Sequence, residues 1–259
     1  MRRIAFKQLL LLMIVSMCFA ANVDAKKKAT GTKIPANLHG EARENYIAAL
    51  KGDANAQLVL GYCYQEGKGA PKDQGKAIYW YQKAADRGNV IAQFNMGDIF
   101  DQGKGVPQDF GRAAFWYLKA AEQGDALAQC CVGNCYFNGQ GFKQDDVQAA
   151  YWFRKSAMQG NAVGQRCLGI CYDEGKGVPQ NSRTAIEWYE KAAVQGDHVA
   201  QFNLGRSYAN GEGVRKDIKK AAEWFGLAIE NNPSYLEELK EAAKNGDKDA
   251  KKILKELRR

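Results

Sequence analysis

Apolar residues recur along the chain with a helical spacing that restarts at fixed intervals. Aligning the sequence on itself gives a period of 36 residues without gaps over residues 52–231. The units begin at Gly52, Gly88, Gly124, Gly160 and Gly196, each taken as position 0. Position 4 is alanine except for Gly164, position 8 is Leu60, Met96, Val132, Leu168 or Leu204, and position 12 is Tyr64, Phe100, Tyr136, Tyr172 or Tyr208. A 4-8-12 spacing is one packed stripe of an amphipathic helix. A second stripe occupies positions 25, 28, 29, 32 and 33, which in the first unit are Ala77, Trp80, Tyr81, Ala84 and Ala85. Each unit is therefore predicted to be a helix hairpin. One hairpin cannot bury both its faces, so neighbours must stack to share a core.

The glycines punctuate this pattern. Positions 15 and 17 are glycine in every unit, from Gly67 and Gly69 to Gly211 and Gly213, which predicts the end of the first helix and the turn into the second. Position 9 is also always glycine (Gly61, Gly97, Gly133, Gly169, Gly205) although it falls inside the first helix. A mid-helix glycine costs roughly 1 kcal/mol relative to alanine, so its recurrence implies that another helix crosses closely there. All five tryptophans stand at position 28, each followed by Tyr or Phe. Repetition at such a period is the mark of a solenoid.

A segment such as Gly196-Asp-His-Val-Ala-Gln-Phe-Asn-Leu-Gly-Arg-Ser-Tyr-Ala-Asn-Gly-Glu-Gly-Val resembles the Sel-1-like repeats, relatives of the tetratricopeptide repeats. The resemblance covers residues 52–231, divided as 52–87, 88–123, 124–159, 160–195 and 196–231. It implies an all-α, right-handed α/α superhelical solenoid acting as an adaptor or scaffold, and bacterial relatives are often exported to serve envelope processes or host interaction. Residues 38–51 resemble a capping helix, the second helix of a truncated leading unit. Residues 232–259 resemble a degenerate closing hairpin carrying Leu236, Leu239, Ala242, Ala250, Ile253, Leu254 and Leu257.

The N-terminus has a different character. Arg2, Arg3 and Lys7 precede an apolar run from Leu9 to Ala20, too short for the ~20 residues of a membrane span. Basic, apolar and small residues in that order predict a secretory signal over residues 1–25, cut after Ala20 or before Lys26. Residues 26–37 follow as a flexible leader. The expected destination is the periplasm or the exterior, with no stable membrane insertion after cleavage. Met17 stands where a lipid-attachment site at Cys18 would place a small residue.

The formal charge of the 259-residue chain is +8, but its lysines are interleaved with Asp and Glu. That distribution argues against a nucleic-acid partner. Its clearest basic cluster, Lys251, Lys252, Lys255, Arg258 and Arg259, reads as a solvated helix end. The catalytic inventory is thin. His39 and His198 are far apart in the repeat array, and no serine acylation motif or phosphate-cradling loop is present. No cofactor, no metal and no enzymatic activity are expected. The alternative is an envelope hydrolase or β-lactamase-like protein of the cysteine-rich repeat type. Those relatives carry cysteines eight residues apart, a spacing this sequence lacks.

Binding of a protein or peptide is the expected function. On the first helix, positions 3, 6, 7, 10 and 14 point away from the packing stripe, and the resemblance places them along a concave groove. Tyr62, Phe94, Asn95, Asp98, Arg166, Phe202, Asn203 and Arg206 are the candidate contact residues. In related repeats an asparagine at position 7 can clamp a peptide backbone. Asn95 and Asn203 match it, whereas Val59, Cys131 and Cys167 replace it. Positions 7 and 11 are both cysteine in two successive units, Cys131/Cys135 and Cys167/Cys171. These four thiols admit three readings: small buried hydrophobes, disulfides joining Cys131 to Cys167 or Cys135 to Cys171, or a tetrahedral metal site. Cys63 has Ile99 at the equivalent place and is expected to be free.

Overall fold

The computed structural model describes residues 34–258. Thirteen α-helices and no strand are found among them. The chain forms two compact units, one ending at Asn89 and the other beginning at Val90. In the first, α1 (Gly40–Leu50) packs on α2 (Ala54–Glu66), which pairs with α3 (Gln74–Asp86). The second holds α4 (Val90–Gln102), α5 (Phe110–Glu122), α6 (Ala126–Asn138), α7 (Asp146–Met158), α8 (Ala162–Glu174), α9 (Ser182–Ala193), α10 (His198–Asn210), α11 (Ile218–Asn231), α12 (Ser234–Lys244) and α13 (Lys248–Glu256). In this unit α4–α5, α6–α7, α8–α9 and α10–α11 are hairpins, and α5–α6, α7–α8 and α9–α10 are the seams between them. This stacking is an all-α solenoid. The signal segment and most of the leader lie outside the described residues.

The sequence dictates where each helix begins and ends. Second helices start after Asp73, Asp109, Asp145, Asn181 and Asp217, whose side chains accept a backbone N–H of the first turn. Asp53, Asp125, Asn161 and Asp197 do the same for first helices. Such caps are each worth about 1 kcal/mol. Position 15 adopts the left-handed conformation that ends the helix, with φ of 73° at Gly67 and 69° at Gly139. The capping residue of the second helix then donates its N–H back to the position-12 carbonyl, as in Asp145 to Tyr136 at 3.0 Å, and closes the hairpin.

The core follows the two stripes. Leu60, Met96, Val132, Leu168 and Leu204 are fully buried, as are most of the alanines at positions 25, 32 and 33. The position-9 glycine lies beneath the position-29 ring. A Cβ built on Gly133 would stand 2.5 Å from Cδ1 and 2.5 Å from Cε1 of Phe153, and one on Gly97 would stand 2.5 Å from Cδ1 of Tyr117. The close helix crossing inferred from those glycines is thus in place. Leu239, Ala243, Ala250 and Ile253 bury the closing hairpin α12–α13, and Leu239 and Ile253 pack in one cluster with Phe225 of α11.

Candidate binding faces and thiol cluster

A buried polar rail runs beside the packing stripe. Position 5 is glutamine in every unit, and these side chains are buried at 2–6% exposure: Gln57, Gln93, Gln129, Gln165 and Gln201. Gln129 Nε2 donates to the Ala121 carbonyl at 3.2 Å, and Gln165 Nε2 donates to that of Ala157 at 3.3 Å. Gln57 and Gln201 do the same to Ala49 and Ala193. The rail continues through position 35, where Gln123, Gln159 and Gln195 donate to the Oε1 of Gln93, Gln129 and Gln165 at 2.7, 2.8 and 2.8 Å. Seams between hairpins are therefore stitched by amides as well as by apolar contact. The register displayed these glutamines, but only packing discloses their role.

The candidate groove residues have diverse surroundings. In the first unit, Lys68 Nζ donates to Tyr62 Oη at 2.8 Å and lies 5.0 Å from the ring centroid. In the second, Phe94 is half-buried and tilts against Tyr117 with ring centroids 5.6 Å apart. Asp98 is engaged by Lys104 at 2.8 Å and by the Gln102 amide. Burial and the charge of Asp98 together hold the Asp101 carboxyl above its ordinary range. Arg166 Nε meets Asp197 Oδ2 at 3.1 Å with both side chains largely covered, so it ties the fourth repeat to the fifth. Phe202 stacks on Tyr235 with centroids 4.3 Å apart, and Tyr235 Oη lies 3.2 Å from His198 Nδ1. Arg206 is exposed. Its charge partly offsets the burial that raises Asp173. Asn95 and Asn203 are half-buried, and neither amide has a hydrogen-bond partner among the described residues.

All six cysteines among the described residues are free thiols, and five are buried. Burial pushes Cys63 and Cys171 up to about 12 and Cys135 to about 11. It also pushes Cys131 up to about 12, with Cys135 adding to the effect. The arrangement departs from pairing between equal register positions. The hydrogen-bonded neighbour of Cys167 is Cys130, whose S–H donates to the Cys167 sulfur. Cys130 was not among the thiols singled out by their spacing. Donating this bond holds Cys130 above its ordinary range, and accepting it lowers Cys167, aided by the Arg166 guanidinium. Among the described residues no group of three or more His, Cys, Asp or Glu side chains is placed to hold a metal ion.

Position 27 presents exposed aromatics at 50–52% exposure, Tyr79 on α3 in the first compact unit, and Phe115 on α5 and Tyr151 on α7 in the second. Lys83, Lys119 and Lys155 lie over these rings at 5.6, 5.0 and 5.5 Å. No described helix is long and apolar enough to cross a membrane.

A family model described as Sel1 repeat matches residues 54–89, 90–125, 126–161, 162–197 and 198–233. Among solved structures, the chain is similar to a protective antigen of uropathogenic Escherichia coli that displays an SLR fold, at 33% identity and a TM-score of 0.74. That likeness covers 85% of this chain and 48% of the other, so the chain spans about half of that relative's length. It is also similar to a Sel1 repeat protein from Oxalobacter formigenes, at 27% identity and a TM-score of 0.71, covering 85% of this chain and 97% of the other. No curated protein matches the sequence.

Proposed function

We propose, from the premise that the chain belongs to the Sel1 repeat family, that it is an exported scaffold which holds an extended segment of a protein partner. The observation that carries the reading is the state of Asn95 and Asn203. Both stand at position 7, three repeats apart, half-buried and with amides unengaged among the described residues. An asparagine amide offers an acceptor and two donors. It can therefore pair with both the N–H and the C=O of an extended backbone whatever that segment's side chains are. Asp98, Arg166 and Tyr62 already have internal partners, which leaves the asparagines as the groove positions best suited to an incoming chain. The order of charges and apolar residues over residues 1–25 supports export, to the periplasm or beyond it.

Purified chain used as bait in an envelope extract, beside an Asn95→Ala/Asn203→Ala double variant of equal helical content, tests the reading. A partner retained by the parent chain and lost from the double variant is the expected result. Equal capture by both sinks the groove assignment. Protection of only Lys119 and Lys155 from amine modification in the complex would move the site to the exposed aromatics beside them, Phe115 and Tyr151.

A further inference from the structure

The basic residues that read in the sequence as a solvated helix end are joined in the fold by a second basic segment. Residues 215–220 and 247–258 together hold nine Lys or Arg against four Asp or Glu, a net +5 of the whole chain's +8. The two stretches meet. Asp249 of α13 pairs with Lys216, in the turn before α11, and with Lys252 at 3.1 Å, and α11 packs on α13. One carboxylate thus answers two ammonium groups, while Asp217 and Asp247 are occupied in capping α11 and α13. Lys248, Lys251, Lys255 and Arg258 stay exposed, with no ion pair among the described residues. We propose that this surface docks, as a peripheral contact, on an anionic phospholipid bilayer.

The shape of the patch selects a surface over a single anion. Lys248, Lys251 and Lys255 are spaced three and four residues apart, which is one stripe along α13. Ala250 and Ile253 are buried on the other side, and Ile253 shares a cluster with Phe225 and Leu239. Those contacts turn the basic side outward. A lysine ammonium is a compact point charge on a flexible stem, without the planar fork by which arginine grips one phosphate or carboxylate. A row of such groups responds to charge density, which a bilayer of anionic headgroups supplies. A single-stranded nucleic acid would stack its bases on aromatic rings, and neither stretch contains an aromatic residue. Leu227, 42% exposed, follows Gly226, where α11 lies against Leu257. It adds an apolar group to the basic ones, the combination that binds at a lipid interface.

Each lysine close to an anionic leaflet raises the affinity about five-fold. The attraction decays over ~8 Å at physiological salt, so only cations on the outward side of α13 and its neighbouring turn contribute. This docking requires neither the groove nor the protein partner proposed above, so either idea can fail without the other.

Co-sedimentation of the full-length chain with vesicles provides the test, using phosphatidylcholine alone or an equimolar mixture with phosphatidylglycerol. The apolar run of residues 9–20 is common to every arm, so differences between arms report the patch. The mixed vesicles are expected to bind the chain more tightly, and raised salt should remove the difference. Lys248→Gln/Lys251→Gln/Lys255→Gln should weaken binding to them on the order of 100-fold. Lys51→Gln/Lys72→Gln/Lys143→Gln, an equal loss of charge from exposed lysines elsewhere, should stay close to the parent. On the parent chain, the mixed vesicles should shield Lys248, Lys251 and Lys255 from acetylation while Lys51 and Lys72 react. This footprint does not depend on any variant folding. Equal weakening by the two triple variants, equal binding to both kinds of vesicle, or shielding confined to other lysines overturns the proposal. Retention on immobilised polyglutamate without preference for the mixed vesicles would assign the patch to an acidic polypeptide instead.

Discussion

Two glycines inside helices make opposite predictions for one chemical change. A methyl group placed on Gly133 enters a space already filled by Phe153, a ring at 2% exposure, with Cδ1 and Cε1 both 2.5 Å from the new carbon. Ordinary carbon contacts begin near 3.4 Å. The ring must therefore retreat by roughly 1 Å from a close-packed position. Overpacking of this kind costs about 1–3 kcal/mol, against a gain of about 1 kcal/mol from replacing glycine by alanine in a helix. A shift near 1 Å belongs in the upper half of that range, so Gly133→Ala should lose about 1–2 kcal/mol net. Gly226 is the control. It also sits mid-helix, in α11, and its nearest neighbour to a new Cβ is Leu257 Cδ2 at 3.4 Å, an unstrained contact with a flexible side chain. Gly226→Ala should keep the full helix gain of about 1 kcal/mol. For a chain of this length 1 kcal/mol moves Tm by roughly 2–4 °C. Thermal unfolding followed by far-ultraviolet circular dichroism should thus show Gly226→Ala melting above the parent and Gly133→Ala below it. Adding Phe153→Leu to Gly133→Ala should cost less than the separate changes combined, because the smaller side chain makes room. If Gly133→Ala raises Tm as much as Gly226→Ala does, the ring is not what requires glycine at position 9.

The other predictions concern the seams and the N-terminus. Gln129→Leu removes both the donor to Ala121 and the acceptor for Gln159, and should cost about 1–2 kcal/mol in urea unfolding. Gln201→Leu should cost less, because Gln201 Oε1 has no partner to lose; equal costs would refute the rail as a stabilising feature. Arg166→Ala should lower stability by about 1–2 kcal/mol while leaving Asp197 Oδ1 to cap α10, an unchanged Tm being the contrary result. N-terminal sequencing of envelope-located protein should find a start between Ala21 and Lys26, and recovery of intact Met1 from cytosol alone would end the case for export.

Helix identity and repeat phase were legible because each unit repeats the same evidence. A stripe read once at Leu60 is weak, but read again at Met96, Val132, Leu168 and Leu204 it leaves one interpretation. The glycine at position 9 was legible in the same way, since its cost to the helix demanded a compensating contact. The glutamines at position 5 were equally regular but did not announce a role. A polar residue beside an apolar stripe can face water or a carbonyl of the preceding helix, and pattern alone does not separate the two. Burial and the bonds to Ala121 and Ala157 do.

What one unit cannot encode is how far its neighbour is turned, and that rotation decides the candidate site. Three contacts show the same offset. Cys130 at position 6 meets Cys167 at position 7 of the next repeat, Arg166 at position 6 meets Asp197 at position 1 of the next, and Phe202 at position 6 meets Tyr235 in the helix that follows the fifth unit. A thiol, a guanidinium and a phenyl ring have little chemistry in common, so their shared direction comes from the backbone. In these three repeats position 6 reaches forward along the stack, whereas Phe94 turns to Tyr117 of its own repeat. Equal positions of neighbouring units are then not each other's nearest partners, which is why Cys131 and Cys167 looked like a pair in the alignment while the structure sets Cys130 against Cys167. The same rotation gives Arg166 and Phe202 work within the stack. The amides of Asn95 and Asn203, one residue further round the helix, stay unengaged among the described residues.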